Sequence, residues 1–171
     1  MGMRELFSLV RRDYEEDAPL FIRPSARLIV IKDNRVLMVY SQRDDYYKFP
    51  GGGIEEGEDP LSALFREAEE EAGIKVNEAS IREYGNVHRE EKGEHGDHFI
   101  QENYYYFGEI AERTQQHLDR YEAEEGFTPV WADPREVIET NLKNASGNKE
   151  PVMLIREAKV LQLLITEGCL K

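Results

Sequence analysis

The chain has 171 residues and a formal net charge of −13 at pH 7, from 35 acidic and 22 basic side chains. That length suits a single domain of roughly 100–200 residues and can bury a sizeable core, while 40% apolar and 10% aromatic residues argue against a disordered chain. The acidity disfavours non-specific attraction to nucleic acid or anionic lipid, so an anionic substrate needs local help. The single cysteine, Cys169, has no intrachain partner, which fits a reducing compartment. Arg4, Glu5, Arg11, Arg12 and Asp13 break up any apolar leader, and no apolar run approaches a membrane span. A cytoplasmic protein with no membrane or nucleic-acid partner is therefore expected.

Residues 1–24 mix charged and apolar groups without a firm period and read as an N-terminal arm. Leu28–Ile31 and Val36–Tyr40 are apolar runs around Lys32-Asp33-Asn34-Arg35, the turn residues of a β-hairpin. Residues 42–58 form a loop containing Pro50-Gly51-Gly52-Gly53. It ends at Asp59-Pro60, a capping residue followed by proline at the first helical position. Leu61, Leu64, Phe65, Ala68 and Ala72 then recur at helical spacing, and Gly73 suits the position after the helix. Ile81–Val87 and Phe99–Ile110 read as strands joined by a charged loop over Arg89–Asp97. The second carries aromatics on both faces and is expected to be central. Phe127–Trp131 is a further strand, Asp133-Pro134 opens a helix to about Leu142, and a closing helix runs from about Pro151 to Glu167.

The helix over Pro60–Ala72 breaks a local rule. Glu67, Glu70 and Glu71 lie off the apolar stripe, within roughly 100° of one another. Like charges at these spacings cost about 0.2–0.5 kcal/mol per pair, and the last turn disfavours anions. A solvated acidic face is the plain reading. A hard divalent cation held by oxygen ligands is the functional one, because it reverses the sign of the interaction.

The surrounding residues decide between them. Gly52 precedes Glu58 by five intervening residues, seven more separate Glu58 from Arg66-Glu67, and Glu70-Glu71-Ala72-Gly73-Ile74 follows. This spacing closely resembles the Nudix box. Ala68 is the one departure, standing where the family has a bulky aliphatic. Tyr47-Lys48-Phe49-Pro50-Gly51-Gly52-Gly53 also resembles the family's entrance to the box.

The resemblance implies a mixed α/β fold, a Nudix-type α/β/α sandwich with a mixed β-sheet and a catalytic loop–helix–loop. It implies one domain over 1–171, with a core over about 25–142. The implied reaction is divalent-metal-dependent hydrolysis of a pyrophosphate bond in a nucleoside diphosphate linked to another group. Nucleoside triphosphates, ADP-ribose and nucleotide sugars stay open as substrates, and the alternative is a non-catalytic nucleotide-binding or regulatory module. Carried over by position, Glu67, Glu70 and Glu71 are the ligands of Mg2+ or Mn2+, with Arg66 as their orienting partner. Gly52, Glu58 and Gly73 are the structural positions of the motif. A general base is sought at Glu67, among Glu122, Glu124 and Glu125 in an acidic loop before Phe127, or at Glu102. Arg43, Tyr47 and Lys48 are candidates for substrate binding. His95 and His98 lack the companions of a metal site and are not assigned as ligands. A homodimer is left open.

Overall fold

The computed structural model describes residues 2–171. Ten strands and four helices form two sheets between helical layers. The strands are β1 (Glu5–Val10), β2 (Leu20–Ile22), β3 (Ser25–Ile29), β4 (Ile31–Lys32), β5 (Arg35–Ser41), β6 (Tyr46–Lys48), β7 (Gly51–Gly53), β8 (Ile74–Lys92), β9 (His98–Arg113) and β10 (Phe127–Ala132). The helices are α1 (Pro60–Ala72), α2 (Arg120–Glu125), α3 (Pro134–Asn144) and α4 (Pro151–Thr166), with a 3-10 turn at Ala145–Gly147. The larger sheet runs β1-β8-β9-β3-β7, with β2 also on β9; the smaller runs β10-β5-β4, with β6 on β5. As its aromatics suggest, β9 is central. Among the described residues no helix is long and apolar enough to cross a membrane.

The expected hairpin is resolved differently. Asp33 and Asn34 do turn the chain with positive φ, as a two-residue hairpin loop requires, but only the short β4 pairs with β5. Strand β3 runs parallel to β9 and antiparallel to β7 in the other sheet. The chain changes sheets at Val30, whose carbonyl still accepts from Leu37 N–H at 2.9 Å. Both β3 and β5 are almost wholly buried, as their continuous apolar runs imply.

The first 24 residues are more ordered than an arm without periodicity suggests. β1 lies parallel to β8 and β2 parallel to β9, so long-range pairing supplies the order that local pattern lacks. The charged loop shrinks to the turn between β8 and β9. His88 stands opposite Glu102 across the ladder, and such opposite-charge pairs hold a hairpin as apolar pairs do. The acidic segment before Phe127 is the helix α2, capped by Asp119 and Glu122 in a reciprocal capping box.

Helix α1 starts on Asp59, whose carboxylate accepts Ser62 N–H, and stops on Gly73 at φ 65°. Leu64 and Ala68 enter a core with Ala26, Leu28, Val39, Tyr106 and Phe127. On the other side Val160, Leu161 and Leu164 of α4 pack with Phe49, Tyr105 and Val137. The glycine loop lies between these cores, and that placement defines the candidate site.

Candidate functional site

Glycine is required where the loop meets the sheet. A Cβ on Gly51, at φ 144°, would stand 2.0 Å from the Ala26 carbonyl oxygen. At Gly52 it would stand 2.5 Å from the Glu67 carboxylate carbon. The loop backbone therefore lies directly against a carboxylate of α1.

Arg66 ties the loop and helix together. Its Nε and Nη2 each donate to Glu58 at 2.9 Å, Nη1 donates to Glu67 at 2.8 Å and approaches Glu70 at 3.5 Å, and Nη2 reaches the Gly53 carbonyl at 3.3 Å. A planar guanidinium supports this many fixed contacts where an ammonium would not. The fork holds the Glu58 carboxyl down to about 2. Glu67 moves the other way, because burial pushes it up against the pull of Arg66. Glu67 and Glu70 thus share one bridging nitrogen, and Glu70 is the more exposed of the two.

Glu71 corrects the expectation of three converging carboxylates. It is only 1% exposed, pairs with Lys48 Nζ at 2.6 Å and accepts Gly51 N–H at 3.3 Å. The reason is visible in the numbering: Glu71 follows Leu64 by seven residues, about 20° short of two turns, and so borders the apolar stripe. Burial raises its carboxyl to about 7, with Lys48 and Arg27 pulling it back. Among the described residues no three His, Cys, Asp or Glu side chains are gathered closely enough to hold a metal ion as they stand. The donor chemistry nevertheless fits a hard cation: three carboxylates on successive turns of one helix, beside a bare glycine backbone.

The candidates for substrate binding separate. Lys48 joins the site through Glu71 and lies 4.5 Å above the Phe127 ring. Tyr47 points to the opposite core, meets the Tyr40 ring in a tilted contact with centroids 4.7 Å apart, and has both backbone groups bound by Asn141. Arg43 pairs with Asp44 at 3.0 Å and approaches Glu125 at 3.7 Å; the chain of contacts from Glu71 to it passes through Lys48, Phe127, Tyr46 and Glu125. Of the later acids, Glu124 is exposed and paired with Arg120. Glu125 is buried, accepts from Ser41 Oγ at 3.2 Å and Tyr46 hydroxyl at 2.9 Å, and leaves Oε2 without a partner. Glu102 instead pairs with His88 and accepts from Asn86. His98 is not in a loop: it sits in β9, paired with Glu90 and stacked on Tyr14 at 3.7 Å.

Sequence reasoning missed the groups that hold the loop from beneath. Arg27 donates to the Gly51 carbonyl at 3.3 Å. Glu157, on α4, accepts Phe49 N–H at 2.7 Å and Tyr105 hydroxyl at 2.5 Å. Arg156 donates to Glu157, Asn103 and Gln101 at 2.8, 2.9 and 3.2 Å. Burial opposes ionisation of Glu157, yet Arg156 and Arg27 hold its carboxyl below the usual range. The only local signal was charge within otherwise apolar segments: Arg27 in a strand and Arg156-Glu157 in a hydrophobic helix. Arg23, flanking the same loop, lies where a Cβ on Gly53 would stand 2.7 Å from its Nε.

The model of the NUDIX domain matches residues 22–154 of the chain. An RNA pyrophosphohydrolase of Halorhodospira halophila is 45% identical over 53 residues, covering 30% of this chain and 29% of that protein. Nudix hydrolase 25 of Arabidopsis thaliana is 38% identical over 61 residues, covering 34% and 35%. The chain spans about a third of the length of the curated relatives it matches. Two solved structures share the fold: the ORF135 protein of E. coli, at TM-score 0.54, 18% identity and 87% and 94% coverage of this chain and that chain, and a Bacillus subtilis pyrophosphohydrolase, at 0.55, 19% and 94% and 89%.

Proposed function

The chain belongs to the NUDIX family, and from that premise we propose that it hydrolyses the pyrophosphate bond of a nucleoside diphosphate linked to another group. Hydrolases of this family generally use divalent metals. The observation that carries the reading is the carboxylate of Glu67 lying on Gly52, with Arg66 binding Glu58, Glu67, Glu70 and the Gly53 carbonyl at once. A helix with three such acids repels a polyanion unless a cation intervenes. Glu67, Glu70 and Glu71 would hold Mg2+ or Mn2+, which when bound supplies charge neutralisation at the phosphates and a more acidic water.

The residues of this chain have separable tasks in that scheme. Arg66 fixes the directions of Glu67 and Glu70. Lys48 balances the buried Glu71, and Glu71 in turn holds the backbone of the glycine loop. In the reaction, water adds to phosphorus, the bridging P–O bond breaks, and the proton of the water passes to a carboxylate. Glu67 and Glu125 are the two carboxylates best prepared to take it: each is largely shielded from solvent, whereas Glu124 is not.

Nucleoside triphosphates, ADP-ribose and nucleotide sugars remain the substrate classes. The name of the Halorhodospira halophila relative adds RNA, so nucleic acid is restored as a candidate ligand. The test is a substrate panel with Mg2+ or Mn2+, including a 5′-triphosphorylated oligoribonucleotide, read by product mass. Turnover of one class that is lost in Glu70→Gln supports the reading. Tight binding without turnover points instead to a non-catalytic module, and wild-type turnover in Glu70→Gln removes the helix from the chemistry.

A further inference from the structure

Strand β2 is an open edge of the larger sheet. It pairs only with β9, in parallel, with Leu20 beside His98, Phe21 beside Phe99 and Ile22 beside Ile100. The Pro19 carbonyl accepts His98 N–H at 2.8 Å, and Arg23 N–H donates to the Ile100 carbonyl at 3.0 Å. Backbone groups of alternate residues point to the same side of a strand. Pro19, Phe21 and Arg23 therefore face β9, and the N–H and C=O groups of Leu20 and Ile22 face away from it. No described strand lies on that side of β2. The N–H that Pro19 lacks belongs to the β9 side, so the proline does not blunt the open edge.

The side chains match the backbone. Leu20 is 63% exposed, Ile22 60% and Phe21 47%, while the other exposed large apolar residues, Val10, Tyr121 and Leu142, stand singly. Isolated exposed apolar groups are ordinary, but three in succession along an uncharged, unpaired edge form a template for another strand.

We propose that β2 is the docking edge for a second copy of this chain, the two β2 strands pairing antiparallel about a two-fold axis at Phe21. In that register Leu20 exchanges both backbone bonds with Ile22 of the second copy, and Ile22 with its Leu20, so every open group is used. An axis at Leu20 would set Ile22 against Ala18, whose N–H already binds the Glu15 carbonyl at 3.1 Å. An axis at Ile22 would set Leu20 against Pro24, whose carbonyl already accepts Ile54 N–H at 2.8 Å. At the axis, Phe21 meets Phe21 of the second copy, on the face where it already touches the Phe99 ring, and non-hydrogen-bonded positions bring side chains closest. Antiparallel pairing also carries the exposed acids Glu15, Glu16 and Asp17, which precede β2, toward the exposed Arg23 that follows it in the second copy; a parallel pairing would set acid beside acid. Each copy has one such edge, so assembly closes at two. The paired segment is short and buries less than the about 1,200 Å2 of a standard interface, so the dimer is weak.

The experiment is sedimentation equilibrium of the whole chain from about 10 µM to about 1 mM, the range of weak association. The weight-average mass should rise from 19.9 kDa toward twice that value and no further. Leu20→Lys and Ile22→Lys should stay monomeric throughout; both side chains already face solvent, and circular dichroism checks the fold. The register is read by oxidation with diamide in a Cys169→Ser background, which removes the exposed native thiol. Phe21→Cys should form a disulfide-linked dimer, because the axis sets the residue opposite itself, and Leu20→Cys should do so at least tenfold less. Neither measurement involves substrate or metal, so each stands apart from the hydrolytic reading. A monomeric wild type, growth beyond a dimer, undiminished association of the lysine variants, or equal cross-linking of Leu20→Cys overturns the proposal.

Discussion

Two adjacent glycines show how position, not residue type, sets the consequence of a change. A side chain on Gly51 meets backbone, the Ala26 carbonyl, at φ 144°. Neither the strand nor the angle can yield, so Gly51→Ala should destabilise the fold by about 3 kcal/mol in urea denaturation. A side chain on Gly52 meets the end of Glu67, which can turn aside. Gly52→Val should therefore leave stability within about 1 kcal/mol of wild type yet lower turnover about 100-fold, since a displaced catalytic group is enough. Glu71 offers a readout of burial. Its carboxyl is raised from 4.5 to about 7 by desolvation, so between these values the folded chain keeps a proton that the unfolded chain has released. This group's contribution to stability falls as pH rises through that window and is level above it. Glu71→Gln should flatten the pH dependence of the urea midpoint over that range. In the proposed reaction the same variant should also abolish turnover, because a ligand charge is lost.

At the scale of elements, α2 separates acids that the sequence could not rank. A capping box begins it and Gly126 ends it, so Glu124 faces solvent beside Arg120 while Glu125 turns under Ser41 and Tyr46. Glu124→Gln should leave kcat unchanged. Glu125→Gln, if that residue is the base, should lower kcat by about 100- to 10,000-fold with unchanged dependence on Mg2+. Should Glu125→Gln keep normal kcat, Glu67 becomes the base. Glu67→Gln then differs in kind, because its defect combines the base with a metal ligand and recovers in part at high Mg2+.

At the scale of the whole molecule, the glycine loop is held from three directions that no segment contains by itself. Glu71 comes from α1, Arg27 from β3 and Glu157 from α4. Arg156 completes the support, fully buried, with Nη2 lacking a partner. Removing one member of a buried ion pair strands the other charge. Arg156→Met should therefore destabilise the protein by about 3–5 kcal/mol, read from chemical denaturation. A loss below about 1 kcal/mol would mean that water reaches Glu157 readily, contrary to its burial.

The sequence determined by itself what depends on short-range spacing. Asp59-Pro60 and Gly73 bound α1, and the stripe from Leu61 to Ala72 sets its buried face. The order of Gly52, Glu58, Arg66, Glu67, Glu70 and Gly73 matched the family, because helix caps, turns and i, i+3, i+4 faces are properties of a few consecutive residues. Even Glu71 was legible in retrospect, seven residues from Leu64. What only the tertiary structure decided depends on partners far apart in the chain. β3 left its neighbour β5 for β9, the N-terminal residues became strands on β8 and β9, and Tyr47 and Arg43 parted from Lys48. The Arg156–Glu157 support of the loop lies about a hundred residues from the glycines it holds. Strand pairing and buried charge are chosen by the surfaces that meet after collapse, and one segment's periodicity does not encode which surface will be there.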